Sequence, residues 1–228
     1  MPDSKSFSLH GKVVIQFGGT GLLGPALISS LSASSAILVV ASRSRTSIEG
    51  LVAIECSAGR TVYAEEVDIS AEESLQALRD RVLAQHGRVD GIVFNAKSSP
   101  MRAFGDDLAA WQASMTTNGT GFFATMRTFG DLMATQRAGS IVNIASMQGM
   151  IGINPGLYEG TTITAPPDYF FHKGGMINLT RYLASHYGAH GVRVNAVSPG
   201  GIYNPARPQA PAFLERYARA TMLGRMAD

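Results

Sequence analysis

Tyr169 and Lys173 stand four residues apart at the start of a segment, 169–187, whose apolar spacing predicts a helix. Residues at positions i and i+4 share one helix face, so the lysine ammonium can lie beside the phenol. A free tyrosine has a pKa of about 10, and an adjacent cation favours the ionised phenol. Such a pair can act as a general acid or base on a carbonyl or an alcohol. The same spacing also arises by chance, so other residues must support this interpretation.

Two polar residues can join this pair. Ser146 follows a predicted strand, 140–144, and a hydroxyl at the carboxyl edge of a parallel sheet can polarise a substrate carbonyl. Serines at strand ends are also common turn formers. Asn118 falls inside a predicted long helix, 108–136, where asparagine is a poor helix former. A group freed there can hold a water in a proton relay, and the alternative is an exposed helical asparagine.

A glycine-rich turn joins the first predicted strand to the first predicted helix. It reads Phe17-Gly18-Gly19-Thr20-Gly21-Leu22-Leu23-Gly24. Glycines let the backbone turn tightly and approach a pyrophosphate, and the helix N-terminus offers free N–H groups. The turn alone is weak evidence, but its position between strand and helix predicts dinucleotide binding.

The turn after the second predicted strand distinguishes between the two nicotinamide cofactors. It reads Ala41-Ser42-Arg43-Ser44-Arg45 and contains no acidic residue. An acid at this place would bind the ribose 2′-hydroxyl of NAD, whereas an arginine can pair with the 2′-phosphate of NADP. The turn therefore favours NADP(H) over NAD(H), the alternative being that both arginines are solvated surface charges.

Short apolar runs alternate with helical patterns along the chain. Predicted strands cover 13–17, 36–41, 61–64, 91–94, 140–144 and 192–197, and predicted helices cover 24–32, 71–86 (with Ser70 as N-cap), 108–136 and 169–187. Strands rich in Val and Ile that alternate with helices predict a doubly wound parallel sheet. Ligands bind such sheets beyond the carboxyl ends of the strands, where the strand order reverses.

Composition excludes several other classes. The 228 residues carry 19 Lys and Arg against 17 Asp and Glu, with no basic cluster that would indicate nucleic-acid binding. The N-terminus lacks the apolar core of a signal peptide, and the apolar stretch 36–41 is too short to span a bilayer. The single cysteine, Cys56, fits a reducing compartment. We therefore expect one domain over 1–228, in the cytoplasm, without a membrane or nucleic-acid partner.

Over essentially its whole length the sequence resembles the short-chain dehydrogenase/reductase family. The motifs that carry the resemblance are the glycine turn, Val67-Asp68-Ile69, Asn95-Ala96, Asn118, the segment 141–146, Tyr169 with Lys173, and Ser198-Pro199-Gly200-Gly201-Ile202. The resemblance implies that Tyr169 is the catalytic acid/base and that Ser146 orients the substrate carbonyl. It also implies that Lys173 stabilises the phenolate and holds the nicotinamide ribose, and that Asn118 holds the relay water.

The resemblance further implies a set of cofactor contacts. These are Gly18, Thr20, Leu22, Leu23, Gly24, Ser42, Arg43, Asp68 at the adenine, Asn95, Ala96, Lys173, Pro199, Gly200 and Ile202. Four positions depart from the family pattern: Phe17 replaces a usual Thr and Phe94 a usual Asn, while Leu22 and Lys97 replace usual glycines. Lys97 is expected near the nicotinamide.

The interval of 23 positions between Ser146 and Tyr169 is wider than is usual in the family. Tyr158 is nearer the usual distance and is the rival base, but it has Thr162 rather than lysine at i+4. The extra loop, 154–168, is then expected over the substrate. A family branch in bacterial gene sets for nonulosonic acids and surface glycans is similar in this loop, which makes a sugar-derived substrate a hypothesis.

The leading hypothesis is an NADP(H)-dependent oxidoreductase that interconverts a carbonyl and a secondary alcohol. Alternatives are a 3-oxoacyl or sugar-acid reductase, a non-catalytic NADP-binding regulator, and a shortened family member. The segment 223–228 resembles one that leads, in relatives, to a further helix and strand. We therefore expect strand order 3-2-1-4-5-6, with the final strand missing and 192–197 at an edge. A homodimer through the helices bearing Asn118 and Tyr169 is also expected.

Overall fold

The computed structural model describes residues 8–228, in which six strands form one parallel sheet. The strands are β1 (Val13–Phe17), β2 (Ile37–Ser42), β3 (Val62–Glu66), β4 (Gly91–Phe94), β5 (Gly139–Ile144) and β6 (Val192–Val197). Their order is β3-β2-β1-β4-β5-β6, which confirms the predicted order. The direction of winding reverses between β1 and β4, so a crevice opens there at the carboxyl ends of the strands.

Seven α-helices connect and cover the strands. They are α1 (Gly24–Ala33), α2 (Thr46–Ser57), α3 (Glu72–His86), α4 (Leu108–Ser114), α5 (Phe122–Gln136), α6 (Pro167–Gly188) and α7 (Pro211–Ala220). Short 3-10 turns cover Met147–Gly149 and Pro155–Leu157. The sequence analysis did not predict α2 or α7.

The predicted helix over 108–136 is interrupted. Between α4 and α5 the backbone forms a π-helical segment, Met115–Gly121, that contains Asn118 and two glycines. Asparagine and glycine stabilise an α-helix weakly, so this stretch can yield to packing. Gly121 lies against the backbone of Ile69, whose oxygen would be only 2.9 Å from a Cβ at this glycine.

Two helix starts differ from prediction. The residue that caps α3 is Ala71 rather than Ser70, whose N–H and hydroxyl both donate to Asp68 Oδ1, at 2.9 and 2.6 Å. Helix α6 begins at Pro167, two residues before the predicted start at Tyr169. Proline is well suited to a first helical turn because it lacks an N–H that would be unpaired there.

The core lies on both faces of the sheet. One layer of the core contains Phe17, Phe94 and Phe129, and the other contains Leu38, Val40, Ile28 and Ile48. Burial on both faces explains why the central strands are continuously apolar. Gln16 is the one polar residue in β1. Its fully buried amide donates hydrogen bonds to the carbonyls of Gly18 and Gly24, and these bonds connect the strand to the glycine turn.

Strand β6 lies at one edge of the sheet, as predicted, with β5 as its neighbour. Beyond β6, a single parallel bridge joins Ile202 to Ala227. Within residues 8–228, none of the helices is both long and apolar enough to span a membrane.

Helix α1 can approach the glycine turn only because Gly24 has no side chain. A Cβ at Gly24 would lie 2.1 Å from the carbonyl oxygen of Gly19, whereas a Cβ at Gly21 would have no neighbour within 4 Å. We predict that Gly24→Ala lowers the free energy of unfolding in urea by about 1–3 kcal/mol, since overpacking forces the backbone to shift. Gly21→Ala, the matched control, should change it by less than about 0.5 kcal/mol. Equal stabilities of the two variants would contradict this packing.

Candidate active site

A cleft of about 550 Å³ opens at the carboxyl ends of the central strands. Tyr169, Lys173, Ser146 and Asn118 all line it, although they belong to three separate segments of the chain. The structure therefore brings the four predicted catalytic residues together. The loop 154–168 also lines the cleft, through residues that include Asn154, Leu157 and Ile163, as predicted.

Ser146 begins the 3-10 turn that follows β5. Its Oγ accepts a hydrogen bond from the backbone N–H of Gln148 at 3.2 Å, which leaves the hydroxyl proton free for another acceptor. The turn packs tightly on α6, because a Cβ at Gly149 would lie 2.5 Å from the carbonyl of Lys173. This close approach keeps the serine beside the helix that carries the tyrosine.

The ammonium of Lys173 is held below Tyr169. The side chain is only 7% exposed, and its Nζ donates to the carbonyl of Ile144 at 2.5 Å. The Nζ lies 5.8 Å from the centre of the Tyr169 ring. Burial, assisted by the positive charge of Lys97, lowers the pKa of Lys173 to about 8. The hydrogen bond to Ile144 uses one of the three ammonium donors, so two remain for other partners.

Lys97 is a second cation beside the same tyrosine. Its Nζ lies 5.6 Å from the centre of the Tyr169 ring and donates to Ser99 Oγ at 2.8 Å. Partial burial lowers the pKa of Lys97, the carboxylate of Asp168 opposes this shift, and the nearby charge of Arg102 adds to it. The residue noted as a departure from the family pattern is therefore part of the cleft wall.

Asn118 is anchored by its whole side chain. Its Oδ1 accepts from the N–H of Ser98 at 2.7 Å, and its Nδ2 donates to Ser98 O and to Ser114 Oγ. This excludes the alternative of an exposed helical asparagine. Both amide protons of Asn118 are therefore already engaged in hydrogen bonds within the protein.

A buried polar cluster continues from Asn118 into α6. Ser114 Oγ donates to Asp168 Oδ2 at 2.5 Å and lies 2.9 Å from His172 Nε2. Because the serine has one proton, the histidine must donate from Nε2. Burial lowers the pKa of His172, against the attraction of Asp168. The sequence analysis did not predict this cluster. The pattern that indicates it is two pairs of polar residues at helical positions i and i+4, 114 with 118 and 168 with 172.

The rival tyrosine, Tyr158, occupies another part of the cleft wall. Its hydroxyl accepts a hydrogen bond from Gln148 Nε2 at 3.0 Å, and burial raises its pKa. Two lysines lie beside Tyr169, whereas the ring of Tyr158 packs on Phe213. These surroundings favour Tyr169 as the group that exchanges a proton.

A second cleft, of about 250 Å³, adjoins the first and shares with it Gly21, Asn95, Ala96, Lys97 and Ser99. Of the predicted cofactor contacts, Gly18, Thr20, Ser42, Arg43, Asn95 and Ala96 line the second cleft. Leu22, Leu23, Asn95, Ala96, Lys173, Pro199, Gly200 and Ile202 line the first. Gly24 and Asp68 line neither, although Val67 and Ile69, the neighbours of Asp68, line the second.

The glycine turn is shaped to accept a dinucleotide. Gly18 has φ +88° and packs so closely on β4 that a Cβ there would lie 2.7 Å from the backbone nitrogen of Ala96. The glycine turn therefore lies between the two clefts, next to the N-terminus of α1, without side chains that would fill the space. An elongated anionic ligand that spans both clefts would meet backbone N–H groups midway along its length.

Comparison with known proteins agrees with this geometry. A family model described as Enoyl-(Acyl carrier protein) reductase matches residues 23–228. The 2,5-dichloro-2,5-cyclohexadiene-1,4-diol dehydrogenase of Sphingobium indicum is 34% identical, over 96% of this chain and 86% of its own length. Levodione reductase of Leifsonia aquatica is 31% identical, over 85% and 70%. The crystal structure of gox2181 superposes with a TM-score of 0.86 at 26% identity, covering 98% and 86%.

The chain belongs to the short-chain dehydrogenase/reductase family. It is an NAD(P)-dependent oxidoreductase that acts on CH–OH and C=O groups. The resemblance seen in the motifs is thereby confirmed at the level of family, fold and reaction class.

The buried charge of Lys173 should reduce the stability of the fold. We predict that Lys173→Met raises the free energy of unfolding at pH 7 by about 1–2 kcal/mol. The lowered pKa corresponds to a free-energy cost of about 3 kcal/mol for keeping the lysine charged in the folded state. Substitution by Met removes this cost but also removes the hydrogen bond to Ile144, so the net gain is smaller. Since the folded-state pKa lies below the unfolded one, this advantage should be complete below pH 8. It should disappear as the pH rises to the ordinary lysine value.

Urea denaturation across this pH range measures the effect. The control is Tyr169→Phe, which removes a hydroxyl from the same cleft but no buried charge and should stay within about 0.5 kcal/mol of the parent. A Lys173→Met protein that is less stable at pH 7 would show that the ammonium is well solvated.

Proposed function

We propose that this protein uses NADP(H) in preference to NAD(H) to interconvert a secondary alcohol and a carbonyl, with Tyr169 as the general acid and base. The observation that carries the proposal is that Tyr169, Ser146 and Lys173 converge on one cleft, which adjoins the glycine turn. When bound, the nicotinamide supplies or accepts the hydride.

Tyr169 and Ser146 act on the substrate oxygen. The Tyr169 hydroxyl makes no hydrogen bond to another residue within 8–228, so it is available to a ligand. In reduction the phenol donates its proton to the developing alkoxide, and in oxidation the phenolate removes the alcohol proton. The Ser146 hydroxyl donates a hydrogen bond to the same oxygen and stabilises the charge that develops there, without giving up its proton.

Lys173 and Asn118 support the tyrosine. The fixed ammonium of Lys173 stabilises the phenolate, and its two remaining donors are suited to the hydroxyls of the nicotinamide ribose. The side-chain amide of Asn118 is committed to Ser98 and Ser114, so the relay water is assigned to its backbone carbonyl. The π-helical segment supports this assignment, because such segments disturb the regular hydrogen-bond ladder.

The substrate proposed here is a compact cyclic alcohol or ketone, which includes a sugar-derived one. The relative from Sphingobium indicum is named for its action on a cyclohexadiene diol. The cleft is walled by apolar side chains such as Ile151, Ile153 and Leu157, which suit a carbon ring. The loop 154–168 contributes Leu157 and other lining residues such as Ile163 and Pro166, so it is the segment proposed to select the substrate.

A homodimer is proposed to form through the helices around the site. Apolar side chains are exposed on these helices: Phe123 on α5 is 43% exposed, and Phe171 and Tyr182 on α6 are 57% and 61% exposed. Such side chains are common in the buried centre of protein interfaces. A cytoplasmic location completes the proposal.

The role of Tyr169 is tested by two matched substitutions. Tyr169→Phe is predicted to lower kcat by about 100-fold or more, with cofactor affinity nearly unchanged, because only proton transfer is lost. Tyr158→Phe removes a hydroxyl from the same cleft and should keep most of the turnover. Steady-state reduction of a cyclic ketone panel, followed by NADPH absorbance, measures both. Loss of turnover in Tyr158→Phe alone would transfer the catalytic role to Tyr158.

The preference for NADP(H) is assigned to Arg43. Arg43 is exposed and lines the second cleft beside Ser42, whereas Arg45 is paired with Glu49 at 3.2 Å. We predict that Arg43→Ala weakens NADPH binding by about tenfold and NADH binding by less than twofold, as expected for one charge-assisted contact to the 2′-phosphate. Titration calorimetry with both cofactors is the measurement, and Arg45→Ala is the control. Equal affinity of the parent protein for both cofactors would overturn the assignment.

A further inference from the structure

The cleft beside Tyr169 carries more positive than negative charge. Lys97, Arg102 and Lys173 line it, and Asp168 is the one carboxylate among its lining residues. Asp168 is 2% exposed and already accepts a hydrogen bond from Ser114. It therefore cannot neutralise three cations, and a ligand with a negative charge would be attracted.

Lys97 forms no direct ion pair within residues 8–228, and the charge of Asp168 acts on it only from beyond 4 Å. Its one hydrogen bond within the described chain goes to the neutral hydroxyl of Ser99, and no carboxylate lies within 4 Å of its ammonium in residues 8–228. A partly buried ammonium without a direct ion-pair partner costs free energy of desolvation, and an anion beside it offsets that cost. The ammonium lies 5.6 Å from the centre of the Tyr169 ring, so an anion bound to Lys97 would lie in the same part of the cleft as the phenol.

Arg102 supplies a second donor group. It lines the same cleft, and its guanidinium forms no ion pair with the described residues. Asp106 binds the backbone N–H of Arg102 rather than its side chain. Arg102 and Lys97 line the same cleft, and the charge of Arg102 adds to the lowering of the Lys97 pKa, so an anion bound in this cleft would reduce the repulsion between the two cations.

We propose that Lys97 and Arg102 form a subsite for a carboxylate on the substrate, so that the natural substrate is an oxo- or hydroxy-carboxylic acid. The inference rests on the proposed function, which it deepens by naming the charged group. A guanidinium can bind a carboxylate through two parallel hydrogen bonds, and an ammonium adds a point charge. The apolar wall formed by Ile151, Ile153 and Leu157 would then contact the carbon skeleton.

The subsite belongs to the substrate rather than to the cofactor. Lys97 lines both clefts, but Arg102 lines only the cleft that contains Ser146 and Tyr169. Both cations therefore line the cleft in which the reacting oxygen of the substrate is proposed to bind. A residue that served only the cofactor phosphates would be expected to affect cofactor affinity instead, which the experiment measures separately.

Binding of two matched probes tests the subsite without turnover. Cyclohexanecarboxylate and cyclohexanecarboxamide have the same ring and nearly the same shape, and neither has an oxidisable alcohol. Calorimetric titration into the protein saturated with NADP⁺ should give at least about tenfold tighter binding of the acid, as expected for charge-assisted contacts. Lys97→Gln and Arg102→Gln should each remove most of this difference while leaving amide affinity within twofold.

The control variant is Arg193→Gln. Arg193 is exposed near the start of β6, at the opposite end of the strand from the cleft, so the same change in net charge should leave acid binding unchanged. A parallel kinetic arm compares 4-oxocyclohexanecarboxylate with its methyl ester, and Lys97→Gln should raise KM for the acid alone.

Three results would overturn the inference. They are equal binding of acid and amide by the parent protein, an equal loss of acid binding in Arg193→Gln, and a Lys97→Gln protein that loses NADP⁺ affinity but keeps its preference for the acid. Absence of turnover with every ketone would contradict the proposed function instead. The calorimetric comparison would still decide whether the subsite binds carboxylates.

Discussion

The hydrogen bond between the buried ammonium of Lys173 and the carbonyl of Ile144 is the contact on which the site depends. It joins α6 to the last residue of β5, and the packing of Gly149 against Lys173 joins the next turn to the same point. Tyr169 stands one helical turn before this lysine, and Ser146 stands two residues after Ile144. Fixing one side chain therefore fixes the position of Tyr169 relative to Ser146.

Much of this arrangement could be predicted from the sequence because it follows from local patterns. Strands that are buried on both faces must be largely apolar, so β1 and β2 are visible as short runs of Val, Ile and Leu. Parallel strands also bring their carboxyl ends to one edge, which is where ligand binding was expected. Helical spacing places Tyr169 and Lys173 on one face, and the accompanying family motifs distinguish the pair from a chance occurrence.

The features that the sequence did not predict depend on contacts between distant segments. The cluster of Ser114, Asp168 and His172 joins residues 54 and 58 positions apart, and each residue alone resembles an ordinary polar helical residue. The π-helical turn around Asn118 arises where Gly121 packs on Ile69, which no local propensity records. Helix α7 buries only Phe213 and Tyr217, too short an apolar pattern to identify a helix among prolines.

The central claim is that the fold holds a desolvated, charged lysine beside Tyr169, the proposed general acid and base. Its most direct test is the pKa of Lys173 in the cofactor-free protein, measured by NMR titration of ¹⁵N-labelled lysine and assigned with Lys173→Met. The account predicts a pKa of about 8, which should rise in Lys97→Gln because a neighbouring positive charge is removed. A pKa at the ordinary lysine value of 10.5 would contradict it, since the ammonium would then be solvated rather than buried.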